Sequence, residues 1–297
     1  MSTSTEPAVA DPAAEISPTP QPAPLVSRLT EHWRTWAINV AVFIGVLALW
    51  WAITASGLIA PLFLPSPQAV VSAFIEANGC HPIQEGSTRI VCGVQGYFLW
   101  EHLLASLQRI GLGVLGGIAV GVIVGFVMAL VPVVGRLFEP YLNFLRSLPP
   151  LGYIGLLIVW FGIGDTSKIW LLFLAAFPPI AMATIDGVRG IRTDRIQAAQ
   201  AMGANSVGVL RHVMLPASLP SILSGIRIAT GFAWTTVVAA ELNNGIPGIG
   251  GLAYLSGTQL QTPLTIACII IIGLAAIALD AAIKRIGGLL VPWQGKA

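Results

Sequence analysis

The stretch Val188–Pro216, VRGIRTDRIQAAQAMGANSVGVLRHVMLP, interrupts an otherwise apolar second half of the chain. It carries Arg189, Arg192, Arg195 and Arg211 against a single acidic residue, Asp194. Its local grammar predicts two short helices joined by a tight turn. Asp194 is placed to cap the first, with Gln197 at the third helical position reaching back. Gly203 closes that helix in the left-handed conformation. Asn205 or Ser206 caps the second, and Pro216 ends it. Val207, Leu210 and Met214 recur at helical spacing and are expected to form one apolar face. By pattern alone, an ordinary polar loop between two membrane helices has the same grammar.

The rest of the chain sets the solvent. It has 297 residues, 55% hydrophobic and 9% charged, with a mean hydropathy of +0.82. Soluble domains carry about 25% charge, so this is an all-α, polytopic membrane protein. Lys and Arg form no dense run, which argues against a nucleic-acid partner. Residues 1–27 are rich in Pro, Ala and Ser and are expected to be a disordered cytoplasmic tail with no signal-peptide pattern. Six spans are predicted: Ala37–Ser56, Ile110–Val134, Pro140–Gly164, Ile169–Ile185, Leu219–Leu242 and Thr262–Leu279. Pro149-Pro150 breaks the third and Pro178-Pro179 interrupts the fourth. Between the first two spans, Leu64–Ala77 reads as a proline-started amphipathic surface helix, and 78–100 as a loop. Gly113, Gly117, Gly121 and Gly125 fall every four residues and mark a helix-packing face. The chain divides into the tail 1–27, a first span with an outer segment at 28–104, a core at 105–285, and a cytoplasmic tail at 286–297.

Six spans put both termini on one side. With the termini inside, the inner segments hold ten cations, including the four arginines of the 188–216 loop. The outer segments hold Arg89 and Lys168. The positive-inside rule therefore places both termini and that loop in the cytoplasm.

Catalytic patterns are missing from the sequence. It has no G-x-x-x-x-G-K-[ST] phosphate loop, no metal-ligand spacing among its four histidines, and no nucleophile elbow. A transporter without its own ATP site or metal is the expectation. Gradient-driven carriers place ionisable groups in mid-membrane, whereas these span centres are nearly free of them. Glu241, near the outer end of the fifth span, is either an interfacial carboxylate or a cavity-facing gate. Trp234 and Asn243 are its candidate neighbours on a translocation pathway. Cys80 and Cys92 fall together in the outer segment, where a disulfide can persist, or they are two free thiols.

Gln197-Ala198-Ala199, three residues, Gly203, nine residues, then Val213-Met214-Leu215-Pro216 resembles the E-A-A-x3-G-x9-I-x-L-P loop of type I ATP-binding-cassette importer permeases. The departures are Gln197 for Glu and Val213 for Ile. Leu64-Pro65-Ser66-Pro67, Leu148-Pro149-Pro150-Leu151, Trp160-Phe161-Gly162-Ile163-Gly164, Val238-Ala239-Ala240-Glu241 and Pro292-Trp293 are similar to the taurine, alkanesulfonate and nitrate branch. The resemblance implies a homodimer in the bacterial inner membrane with two ATPase subunits that carry ATP and Mg, and a periplasmic or lipid-tethered binding protein. It implies that Ala198, Ala199, Gly203 and Ala204 form a coupling turn, flanked by Leu210 and Arg211. Leu215-Pro216 would then fix the exit into the fifth span. The implied substrate is a small sulfonate such as taurine, or else nitrate, bicarbonate or a pyrimidine precursor. A gradient-driven carrier is the alternative of another class. The outer segment 78–96 looks longer than the family usually has, and is either a contact for the binding protein or a tolerated insertion.

Overall fold

The computed structural model describes residues 25–82 and 90–293, with side chains described from residue 33 onward except at 81–82. The chain is a helical membrane bundle. Among the described residues, five helices are long and apolar enough to cross a bilayer: Trp33–Ala55, Leu99–Leu130, Asp165–Arg189, Ser206–Ala240 and Thr262–Leu290. A sixth crossing is made if the bent pair Pro132–Ser147 and Pro150–Phe161 counts as one span.

Helix α1 (Leu25–Ala55) lies at the periphery and, from Trp33 onward, turns nearly all its apolar side chains outward. Trp50 ties it down by donating its indole N–H to the Pro65 carbonyl at 3.1 Å. The amphipathic helix α2 (Pro67–Ala77) forms as expected. Ser66 caps it by accepting from the Ala69 N–H, and Pro67 occupies the first helical position. A hairpin follows, β1 (Cys80–Pro82) against β2 (Ile90–Cys92), where a plain loop was expected. Cys80 and Cys92 face each other across it and are disulfide-bonded.

Helix α3 (Leu99–Leu130) starts eleven residues earlier than the predicted second span, because His102, Ser106 and Arg109 lie on its buried face. It stops where Pro132 holds Val131 in an extended conformation. Helix α4 (Pro132–Ser147) therefore claims residues assigned to two different spans. The predicted Pro149-Pro150 break is present: α4 ends at Ser147, and the turn Pro150–Tyr153 leads into α5 (Ile154–Phe161) at 96°. Helix α6 (Asp165–Arg189) runs unbroken through Pro178 and Pro179, contrary to the expected interruption. It is packed between neighbours on both sides, and neighbouring helices let a transmembrane helix carry proline.

That packing explains the glycines. A Cβ on Gly113 would stand 2.5 Å from the Leu172 Cβ, and one on Gly117 2.9 Å from the Ala176 Cβ. On Gly125 it would stand 2.6 Å from the Thr184 Cβ. The stripe on α3 is thus the seat of α6. Helix α9 (Leu215–Ala240) takes the other side of α6, with Gly187 against Ser218 and Ser221, and Gly225 against Ala183. In lipid no hydrophobic force draws helices together, so close backbone approach supplies the contact. Helices α10 (Ile249–Thr258) and α11 (Thr262–Leu290) complete the bundle, with Leu264 and Cys268 of α11 packed on Ile249 and Leu252 of α10.

The expected domain limits need adjustment. The 104/105 boundary falls inside α3, and the 285/286 boundary falls inside α11. Helix α1 begins at Leu25, so residues 25–27 are helical rather than tail. The remainder of that tail, Arg89 and the last four residues lie outside the described residues.

Candidate functional site

Two assemblies sit at opposite ends of α9. At its start is the 188–216 stretch. Helix α7 (Thr193–Ala201) carries Gln197, Ala198 and Ala199, and only Ala199 of these three is buried. Gly203 adopts φ +88°, the left-handed value expected of a helix-closing glycine. Asn205 caps α8 (Ser206–Val209) by accepting from the Gly208 N–H at 2.8 Å. Asp194 does not cap α7, since Arg192 holds that position. The Asp194 carboxylate instead pairs with the Arg192 guanidinium and accepts from the Arg195 N–H. Gln197 consequently has no reciprocal capping role.

Pro216 does not end the second helix. After Val209 the chain widens into a π turn, Leu210–Met214, and continues straight into α9. A proline ring clashes with the carbonyl four residues earlier and removes a hydrogen bond. The wide turn lies where that clash falls, so the helix passes Pro216 without stopping. The expected apolar face is also reassigned. Val209 is buried, and Leu210 and Met214 are half-buried. Val207 is 69% exposed, and Met202 on the other side of Gly203 is 83% exposed. Two large apolar side chains thus flank the turn with nothing over them. Ala204 is half-buried beside the turn, and Arg211 is exposed.

At the far end of α9, Glu241 is 1% exposed. Its carboxylate is enclosed by protein in this conformation. It accepts from Arg109 Nη1 at 2.6 Å, from Ser106 Oγ at 2.7 Å and from the Gly250 N–H at 2.9 Å. Arg109 reaches further, donating to Asp165 Oδ1 at 2.9 Å and to the Pro247 carbonyl at 2.7 Å. Ser106 Oγ accepts from the Ile249 N–H, and His102 Nδ1 accepts from the Gly248 N–H. His102 Nε2 then donates to the Val94 carbonyl. Lys168 closes the ring by donating to the Asn244 carbonyl at 2.6 Å. Arg109, Lys168, Glu241 and the exposed Asp165 sum to zero charge, which makes the three buried charges tolerable.

Glycine is required where the loop after Glu241 wraps this cluster. A Cβ on Gly248 would lie 2.6 Å from the Glu241 carboxyl carbon, and one on Gly250 would lie 2.7 Å from the Val238 Cα. The proposed pathway trio is not brought together. Trp234 packs in the core with Val114 and Ala233, Glu241 is in the cluster, and Asn243 is exposed on the loop. The rest of the cluster escaped sequence reasoning, although His102, Ser106 and Arg109 at spacings of four and three share the face that continues into the glycine stripe. Among the described residues, no group of three or more His, Cys, Asp or Glu is arranged to hold a metal.

The chain matches, over residues 117–296, the family described as "binding-protein-dependent transport system inner membrane component". It is 39% identical to the taurine transport system permease protein TauC of Escherichia coli, over 91% of this chain and 95% of that protein. It is 30% identical to the nitrate import permease protein NrtB of Synechococcus elongatus, over 83% and 86%. An inward-facing structure of the MetNI methionine ABC transporter superposes with a TM-score of 0.56 at 22% identity, covering 65% of this chain and 95% of that chain, and so shares the fold. A continuous helix leading from a glycine turn into the bundle, the permease fold and these similarities agree: the chain belongs to the family of inner-membrane permease subunits of binding-protein-dependent ATP-binding-cassette importers.

Proposed function

We propose that this chain is the homodimeric permease of an ATP-driven importer for a small sulfonate such as taurine. Its termini and the 188–216 turn face the cytoplasm, where two ATPase subunits bind ATP and Mg and receive the turn. A periplasmic or lipid-tethered binding protein delivers substrate at the opposite end. The observation that carries this reading is the pair Met202 and Val207, exposed on either side of the left-handed Gly203. A bare apolar knob on a rigid turn fits a groove in a partner protein. The helix behind it is continuous from Ser206 to Ala240, 35 residues, a rod of about 50 Å. Movement of the docked turn is therefore passed toward the Glu241 cluster along one hydrogen-bonded helix, through the π turn before Pro216. Charge supports the orientation: Arg136, Arg195 and Arg211 lie at the turn end outside any acid pair among the described residues, whereas Arg109 and Lys168 at the other end are matched by Glu241 and Asp165.

The sulfonate rests on the similarity to the taurine permease; the nitrate permease gives the competing anion. The test is uptake of labelled taurine by cells that lack their own taurine importer. They would express this chain with a cognate ATPase and binding protein. The proposal expects uptake that needs all three proteins and that excess alkanesulfonate suppresses. Uptake suppressed by nitrate and not by sulfonate would replace the substrate, and uptake without the ATPase would restore the gradient-driven carrier.

A further inference from the structure

A furrow runs between α9 and α11 toward the end of the bundle that carries the 188–216 turn. Its inner limb, of about 220 Å³, is walled by Gly231, Trp234, Ala276, Leu279 and Ile283. Its mouth, of about 400 Å³, is walled by Ser224, Lys284, Gly287 and Gly288. Arg227 and Ile283 line both limbs, so the largely apolar slot, which Thr230 and Asp280 also line, adjoins a mouth of mixed polarity that includes Leu223 and Val291. Arg227 holds Asp280 with Nε at 2.5 Å and Nη2 at 3.2 Å, and Lys284 Nζ holds the same carboxylate at 2.9 Å. Two cations on one carboxylate leave one positive charge unmatched at the mouth.

Depth fits a headgroup. Lys284 lies 22 residues beyond Thr262 on α11, about 33 Å along the axis, which is the thickness of a hydrocarbon core. Long basic side chains at that depth reach the interface. The slot is also open: a Cβ on Gly231 or on Gly288 would meet nothing within 4 Å. We infer that this furrow binds an anionic phospholipid, with an acyl chain along the slot and the phosphate against Lys284 and Arg227. Basic pockets between transmembrane helices on the cytoplasmic side are suited to such headgroups. A bound lipid would bridge α9, the rod behind the coupling turn, to α11.

The test is native mass spectrometry of the full-length chain, delipidated in mild detergent and offered phosphatidylglycerol or phosphatidylcholine with the same acyl chains. The expected result is preferential retention of phosphatidylglycerol. Lys284→Gln should lower that retention about fivefold, as one basic residue contributes at a membrane surface, and Lys284→Arg should restore it. Gly231→Leu fills the slot from open space and should lower retention while leaving the thermal midpoint unchanged. Glycerol phosphate, the headgroup without chains, should not displace the lipid. Equal retention of the two lipids would overturn the inference, as would undiminished retention in both Lys284→Gln and Gly231→Leu. Displacement by glycerol phosphate would also overturn it, reducing the site to a phosphate contact. Lipid excluded from dimers but present on monomers would overturn it in favour of a second copy filling the furrow.

Discussion

Glu241 shows how much one residue can organise in a low-dielectric interior. Its carboxylate binds α3 through Ser106 and Arg109, and it binds the start of α10 through the Gly250 N–H. Removing one partner of a buried ion pair strands the other, at about 3–5 kcal/mol. Glu241→Gln is expected to lower stability by about 3 kcal/mol, read as a lowered thermal midpoint in detergent. The pair Glu241→Gln and Arg109→Met should cost less than the sum of the two single variants, because neither leaves a charge unmatched. Additive losses would show that the two side chains do not depend on each other. In the sequence Glu241 was visible as a lone acid near a span end, but not its role. Its partners come from 132 and 135 residues away, a separation no local pattern encodes.

At the scale of elements, the glycine stripe was legible as a packing face, and the structure supplies its partner, α6. Gly113 and Gly111 provide a matched test on one helix. A Cβ at Gly113 meets the Leu172 Cβ at 2.5 Å, whereas one at Gly111 meets nothing within 4 Å. Gly113→Val is expected to separate α3 from α6 at about 1–3 kcal/mol, seen as loss of monodisperse protein. Gly111→Val should behave as the parent. Equal damage would mean that helix propensity, not packing, governs both sites. Prolines were read less well. Pro149-Pro150 breaks the chain as expected, with α4 ending at Ser147 and the next helix turning away at 96°. Pro178-Pro179 and Pro216 do not break it, because tertiary packing around α6 and a π turn before α9 absorb the cost. Proline alone states a local penalty, and the surroundings decide whether it prevails.

The whole molecule joins the two ends of α9. The family resemblance and the left-handed turn were present in the sequence, carried by Gly203 and Leu215-Pro216. The exposed Met202 and Val207 were not, since burial depends on what the bundle leaves uncovered. The central claim is that this turn is where the ATPase docks. It is tested most directly by co-purifying the chain with its cognate ATPase. Four chains would be compared: the parent, Gly203→Val, which forces a β-branched residue into φ +88°, and the single changes Met202→Asp and Val207→Asp. The account predicts a stable complex for the parent. It predicts at least a tenfold loss of bound ATPase for each variant, with membrane insertion unchanged. A parent chain that binds no ATPase, or three variants that bind it as the parent does, would contradict it.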